Sequence, residues 1–389
     1  MSHQRWFHRI GAMSCAAAVL TACSSGNDNA PAAQRPITEP LAVTYDGGLY
    51  VLDGETLEVE QDIPLDGFLR VNPAGYEGHV LVTTDEGFRI LDAAGGQLTE
   101  DTFPAEEAGH VVVHGEHTVL FADGSGEITA FDPHALAEGG MPQTENFKTP
   151  QPHHGVAVIL SDGTLVHSLG DPETRTGAVA MQGGREIARS ENCPGLHGET
   201  VVTDEVVVLG CENGVLEYAN GTFTKISSPT PYGRVGTTKG HDDSSVALGD
   251  MKIDPDAELE RPEQFALIDT STAQMRLVSL PRSVSYTFRS LARGPQAEAL
   301  VLATDGRLYV FDPVSGAQVT SIEVTDTWTE PEDWQKPRPA VVAREDKVYV
   351  SDPATKQIHV VDLQEGAITE SVTLPEAPNE LSGAVGHDH

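Results

Sequence analysis

Four stretches decide the fold: GLYVLD (48–53), GFRILD (87–92), EITAFD (127–132) and RLYVFD (307–312), each an alternating apolar segment closed by an aspartate. Working outward, looser copies appear as TLVHSLGD (164–171), VLEYAN (215–220), FALID (265–269) and QIHVVD (357–362). Their closing residues, from Asp53 to Asp362, are spaced by 39, 40, 39, 49, 49, 43 and 50 positions. Most copies follow a tight-turn pair: Asp46-Gly47, Glu86-Gly87, Asp123-Gly124, Asp162-Gly163, Asn213-Gly214 and Asp305-Gly306. Alternation on both sides of such a pair is the pattern of a β-hairpin. A period of about 40–50 residues without a helical stripe implies four strands per unit. The expected fold class is therefore all-β, a β-propeller. Eight copies predict eight blades, and seven stays open because the fourth and fifth units are irregular.

The ends of the repeat predict how the ring closes. The first unit starts at Leu41, directly before its hairpin, and so lacks an inner strand. Residues 381–389 follow the last unit's outer strand and have no hairpin of their own. Placing them as the inner strand of blade 1 leaves no open sheet edge.

The chain has 389 residues, with 59 acidic against 24 basic side chains and a net charge of −35. A hydrophobic fraction of 39% supports a real core and argues against general disorder. Nucleic acid is excluded as a partner, because phosphate binding needs clustered Lys and Arg. The acidic balance suits a soluble exported protein that attracts cations.

Arg5 and Arg9, a short apolar run, and then Leu20-Thr21-Ala22-Cys23 read as a bacterial lipoprotein signal. Residues 1–22 are expected to be removed and Cys23 to carry lipid, with an ordinary signal peptide as the alternative. No stretch is apolar for the ~20 residues a membrane span needs, so the lipid is the only expected membrane contact. Residues 23–40, rich in Ser, Asn, Ala and Pro, read as a flexible tether, and residues 41–389 as a single propeller domain. The expected location is extracytoplasmic, anchored to the cell membrane, and the expected state is a monomer. Of the four cysteines, Cys15 leaves with the signal and Cys23 takes lipid. Cys193 and Cys211 remain, and export favours a disulfide over a thiolate metal pair.

Histidine carries the functional signal. Nine of the 15 His lie between His110 and His241. Counting back nine positions from the turn aspartates Asp123, Asp162 and Asp250 reaches His114, His153 (beside His154) and His241, at the expected ends of inner strands. The C-terminal strand brings His387 to the corresponding place in blade 1. His110 and His197 fall nearer the strand starts, as a second layer. Inner strands line a propeller's channel, so these imidazoles can converge on a metal, and nitrogen ligands of this kind suit Zn²⁺. One such His alone would be an ordinary channel-lining group. His79, His134, His167 and His359 read as structural, and His117 is left undecided. The tail Gly386-His387-Asp388-His389 reads either as channel lining or as a metal-capturing end. Catalytic motifs are weak: no GxSxG or P-loop occurs, and His197-Gly198-Glu199 is the one pair that could serve as base and acid in a propeller lyase or hydrolase.

Residues 109–123, Pro152-His153-His154-Gly155, Cys193-Pro194-Gly195-Leu196-His197-Gly198-Glu199 and Gly210-Cys211 together resemble the AztD-type zinc metallochaperones. That resemblance implies an exported propeller that holds zinc by His. It also implies delivery by direct contact to the substrate-binding protein of a zinc ABC importer, with no enzymatic activity. It points first to His114, His154 and His197, then to His110, His241 and His387. One departure stands out: family members are soluble periplasmic proteins, some with a His/Asp-rich N-terminal segment. Here a lipobox replaces free diffusion, and Asn27-Asp28-Asn29 contains no His. The rival expectations are a propeller that binds protein or glycan without metal, and, behind it, a propeller lyase.

Overall fold

In the computed structural model, residues 35–384 are described, apart from 282 and 345. Lipidation at Cys23, the signal segment and His387 lie outside the described residues. Thirty-two of the strands form eight antiparallel four-stranded sheets, each a blade running from an inner to an outer strand, and one further short strand is appended to the fifth. Blade 3 shows the plan: Ala108–His114 lies innermost, then His117–Ala122, Glu127–Phe131 and finally Thr144–Lys148.

Burial follows from that order. The third strand of blade 1, Gly48–Leu52, is buried at every position, whereas its outer strand Val59–Pro64 is half-exposed or exposed. Middle strands are covered on both faces by neighbouring blades, which is why they read as near-continuous apolar runs. The core is correspondingly divided among blade-to-blade seams. In one of them, Phe88, Ile90 and Phe103 of blade 2 meet Leu120 and Phe131 of blade 3, with Phe103 and Phe131 stacked at 4.9 Å.

The ring closes as the sequence predicts. Leu381–Gly383 is the inner strand of blade 1 and pairs antiparallel with the strand Leu41–Tyr45, with Val43 opposite Leu381. Part of the expected tether also belongs to the ring. Ile37 is buried and donates its N–H to the Ala94 carbonyl (2.8 Å), and Arg344 donates to the Pro40 carbonyl (3.0 Å).

Blade 4 departs from the expected phase. Elsewhere the Asp-Gly pair joins the second and third strands, as Asp123-Gly124 does in blade 3. Asp162-Gly163 instead joins the first strand, Ala157–Ile159, to the second, Leu165–Gly170. Its second-to-third turn is made by Asp171, whose carboxylate accepts the N–H groups of Glu173 and Thr174. TLVHSLGD is thus a second strand and not a third, so a count backward from Asp162 overshoots the inner strand.

Candidate metal centre

The phase of blade 4 matters because it decides which histidines share a rim. His110 is the third residue of its inner strand, while His154 and His197 lie in the loops just before the inner strands Ala157–Ile159 and Glu199–Val202. Inner strands of a propeller all run the same way, so the leading ends of blades 3, 4 and 5 meet at one mouth of the channel. There, one ring nitrogen from each of His110, His154 and His197 lies within 4.8 Å of the others. The ring centroids are 4.9 to 5.4 Å apart.

Each imidazole is oriented from behind. His110 donates from Nδ1 to the Glu199 carboxylate (3.1 Å), and His197 donates from Nδ1 to the Gly236 carbonyl (2.6 Å). His154 donates from Nδ1 to Asp123, whose other oxygen accepts the N–H of Gly155 (3.2 Å). An oxygen acceptor on Nδ1 places the proton there and leaves the Nε2 lone pair free. This is the outer-shell arrangement that fixes tautomer and ring orientation in histidine metal sites.

Local structure explains how the loops hold still. The Cys193–Cys211 disulfide, with Cα atoms 5.0 Å apart, joins the segment before blade 5 to the end of its second strand. Four residues on, His197 exchanges backbone bonds with the same blade: its N–H reaches Gly210 O, and Gly210 N–H reaches Gly198 O (both 3.0 Å). Gly198 sits at φ +75°, and a Cβ on it would lie 2.5 Å from the Gly236 oxygen that orients His197. Beside His154, a Cβ on Gly155 would strike the Phe121 ring at 2.3 Å. Glycine is required at both positions for the loops to lie this close.

Electrostatics divide the three imidazoles. Burial, followed by the neighbouring His110 and His154, holds His197 well below the ordinary histidine range. Burial acts the same way on His110, but the Glu199 carboxylate outweighs it and raises its pKa. His154 is the most exposed of the set, its side chain 42% accessible at the mouth. Three imidazole nitrogens with outer-shell acceptors and one unfilled direction suit a borderline-soft tetrahedral ion such as Zn²⁺.

Two of the other expected ligands stand elsewhere. His114 ends the strand near whose start His110 lies, so it faces the opposite rim, where its Nε2 is engaged by Glu205 (2.9 Å). His241 follows the inner strand of blade 6 and lines a separate cavity with Arg293 and Arg344. His153 is buried between the Gln151 carbonyl and Ser168 Oγ (2.9 and 2.8 Å), a structural histidine with its pKa pushed down by burial. Glu199 bonds His110 and not His197, so the base–acid pair that the alternative lyase or hydrolase reading would need is not assembled. The orienting groups were missed. Asp123 reads as a turn residue and Glu199 as an acid beside His197, while the Gly236 carbonyl leaves no mark in a sequence.

No protein-family model matches the chain. The zinc chaperone AztD of Citrobacter koseri is 26% identical over 315 residues, covering 77% of this chain and 72% of that protein. The structure of apo AztD from Citrobacter koseri superposes with a TM-score of 0.75 at 21% identity, covering 88% of this chain and 96% of that one. The chain is similar to AztD in sequence and shares its propeller fold. A further crystal structure of Citrobacter koseri AztD gives a TM-score of 0.70 at 22% identity, with 90% and 98% covered. The AztD relatives are named for a chaperone, not an enzyme, and the expected non-enzymatic role agrees with that.

Proposed function

We propose that the protein is an extracytoplasmic zinc chaperone. His110, His154 and His197 hold one zinc ion through Nε2, and the protein passes the ion to the zinc-binding component of an ABC importer. The observation that carries this reading is the trio of imidazoles, each fixed at Nδ1 by a different oxygen and converging at the channel mouth. The likeness to AztD supports zinc as the cargo.

Three protein ligands leave one tetrahedral position open, which suits an ion that must be taken on and released. His154 is exposed at the rim, so an incoming ligand from an acceptor can reach the ion from that side and replace it first. The lipobox at Cys23 supports a protein held at the membrane by its lipid, near such an importer.

Elemental analysis of protein purified without chelator tests the cargo, with one zinc per chain expected. His154→Ala and His197→Ala are each expected to lose it while still melting cooperatively, whereas His114→Ala keeps it. If both His154→Ala and His197→Ala retain chelator-resistant zinc, the site is elsewhere.

A further inference from the structure

The cavity that holds the three imidazoles has a volume of about 640 Å³ and is lined from seven of the inner strands and, in blade 4, from His154 in the loop before the inner strand. In a chain of net charge −35, its wall is positive. Arg70, Arg234, Lys239, Lys252 and Arg289 face three carboxylates, Glu199, Asp250 and Glu380. All three acids are already engaged. Glu199 accepts from His110, and Asp250 accepts the N–H groups of Gly236 and Thr237 (2.6 and 2.8 Å). Glu380 is shared between Arg70 (3.1 Å) and Arg289 (2.9 Å), the latter with a side chain only 7% exposed. Lys239 stands exposed on the inner strand of blade 6, where it lines this cavity and the neighbouring one. Among the described residues it makes no ion pair.

We infer that this channel is a binding site for a small dicarboxylate. One carboxylate is drawn to Lys239, and the other faces the position that three imidazoles leave open on a metal ion. The second contact rests on the zinc reading above; the first does not. Neutral imidazoles do nothing to offset a dication, and the surrounding wall already carries excess positive charge, so an anionic fourth ligand is favoured over water. Trp334 lines the same cavity with half of its surface exposed and offers apolar area to a methylene stem, which an inorganic anion would not use.

Calorimetric titration of succinate into metal-free and zinc-loaded protein, in low-salt buffer without other carboxylates or phosphate, tests both contacts. Saturable binding is expected in each form, about fivefold tighter with zinc, because coupling between two ligands is reciprocal. Lys239→Met is expected to weaken succinate binding about tenfold, and Lys239→Arg to restore it. No saturable binding to either form, in protein that still takes up zinc, overturns the dicarboxylate site and leaves the chaperone reading standing. Succinate binding in protein that takes up no zinc supports the site and overturns the chaperone reading. Equal affinity with and without zinc removes the contact to the metal, and unchanged affinity in Lys239→Met removes the contact to the lysine.

Discussion

Replacing Glu199 with Gln keeps the size of the side chain and removes its charge. The carboxylate lies 3.0 Å from His110 Nδ1 and its side chain is only 10% exposed. A metal bound at the far nitrogen of that ring would lie roughly 7 Å from the carboxylate. At an effective dielectric of about 20, a unit charge there is worth ~2.4 kcal/mol and a dication about twice that, before the solvent at the open mouth screens it. Outer-shell carboxylates typically contribute 10- to 100-fold in metal affinity, about 1.4–2.8 kcal/mol, which fits the screened value. An opposing effect exists, because Glu199 also raises the His110 pKa against the pull of burial. Some of the wild-type affinity near neutrality is therefore consumed in displacing a proton, a cost the variant escapes. The proton carries half the charge of the metal, so the loss should win. The expected result is 10- to 100-fold weaker zinc binding at pH 8, with the gap to wild type narrowing at pH 6. Competition against a chromophoric chelator at both pH values measures this. An affinity within about twofold of wild type at pH 8, in a variant that melts cooperatively, would refute the role of Glu199.

The imidazoles should also differ in their proton traffic. His110, with its pKa raised, is the first to protonate as pH falls through neutrality, while His197, depressed by burial, stays neutral well below pH 6.5. In the metal-free fold, His110 therefore contributes stability present below about pH 6.5 and lost as pH rises through its raised value; His197 contributes the opposite, present above about 6.5 and lost as pH falls. Zinc binding near pH 7 should release a proton from His110, seen as a dependence of calorimetric heat on buffer ionisation enthalpy, and no such dependence would count against the assignment. Thiol titration of denatured, unreduced protein should find nothing from Cys193 or Cys211, and reduction should cost about 3 kcal/mol for the loop they close while weakening zinc binding through the loop of His197. Deleting residues 381–389 should lower stability by about 3–5 kcal/mol and cause association through the exposed edge of the strand Leu41–Tyr45, whereas deleting 386–389 should leave the melting temperature of metal-free protein unchanged. A long deletion that melts like wild type would mean closure by another route.

The propeller was legible because its signals are local. An alternating strand and a turn pair ending in Gly lie within about ten residues of each other, and the two recur together in the middle hairpins of blades 1, 2, 3, 5 and 7. Closure was legible for a similar reason: Leu381–Gly383 had no hairpin of its own and blade 1 had no inner strand. Blade 4 was misphased because an Asp-Gly pair is equally suited to either turn of a meander. Only the pairing of Ala157–Ile159 with Leu165–Gly170 shows that Asp162-Gly163 closes the inner one.

That slip of one strand accounts for most of what went unseen at the site. Side-chain type identified histidines on inner strands, but a ligand set is defined by which rim they share, and rim depends on phase. Counted from Asp162, His154 appeared to end an inner strand, which put it in a layer with His114 and left His110 and His197 apart. With the phase corrected, His154 precedes its strand and stands level with His110 and His197. The orienting groups then follow from the ring and not from any segment. His154 is oriented by Asp123 from blade 3, His110 by Glu199 from blade 5, and His197 by the carbonyl of Gly236 ahead of blade 6. Positions 89 residues apart, such as His110 and Glu199, meet only because consecutive blades wrap one axis. Opening the ring should therefore loosen all three imidazoles together, because no single blade carries both a ligand and everything that aims it.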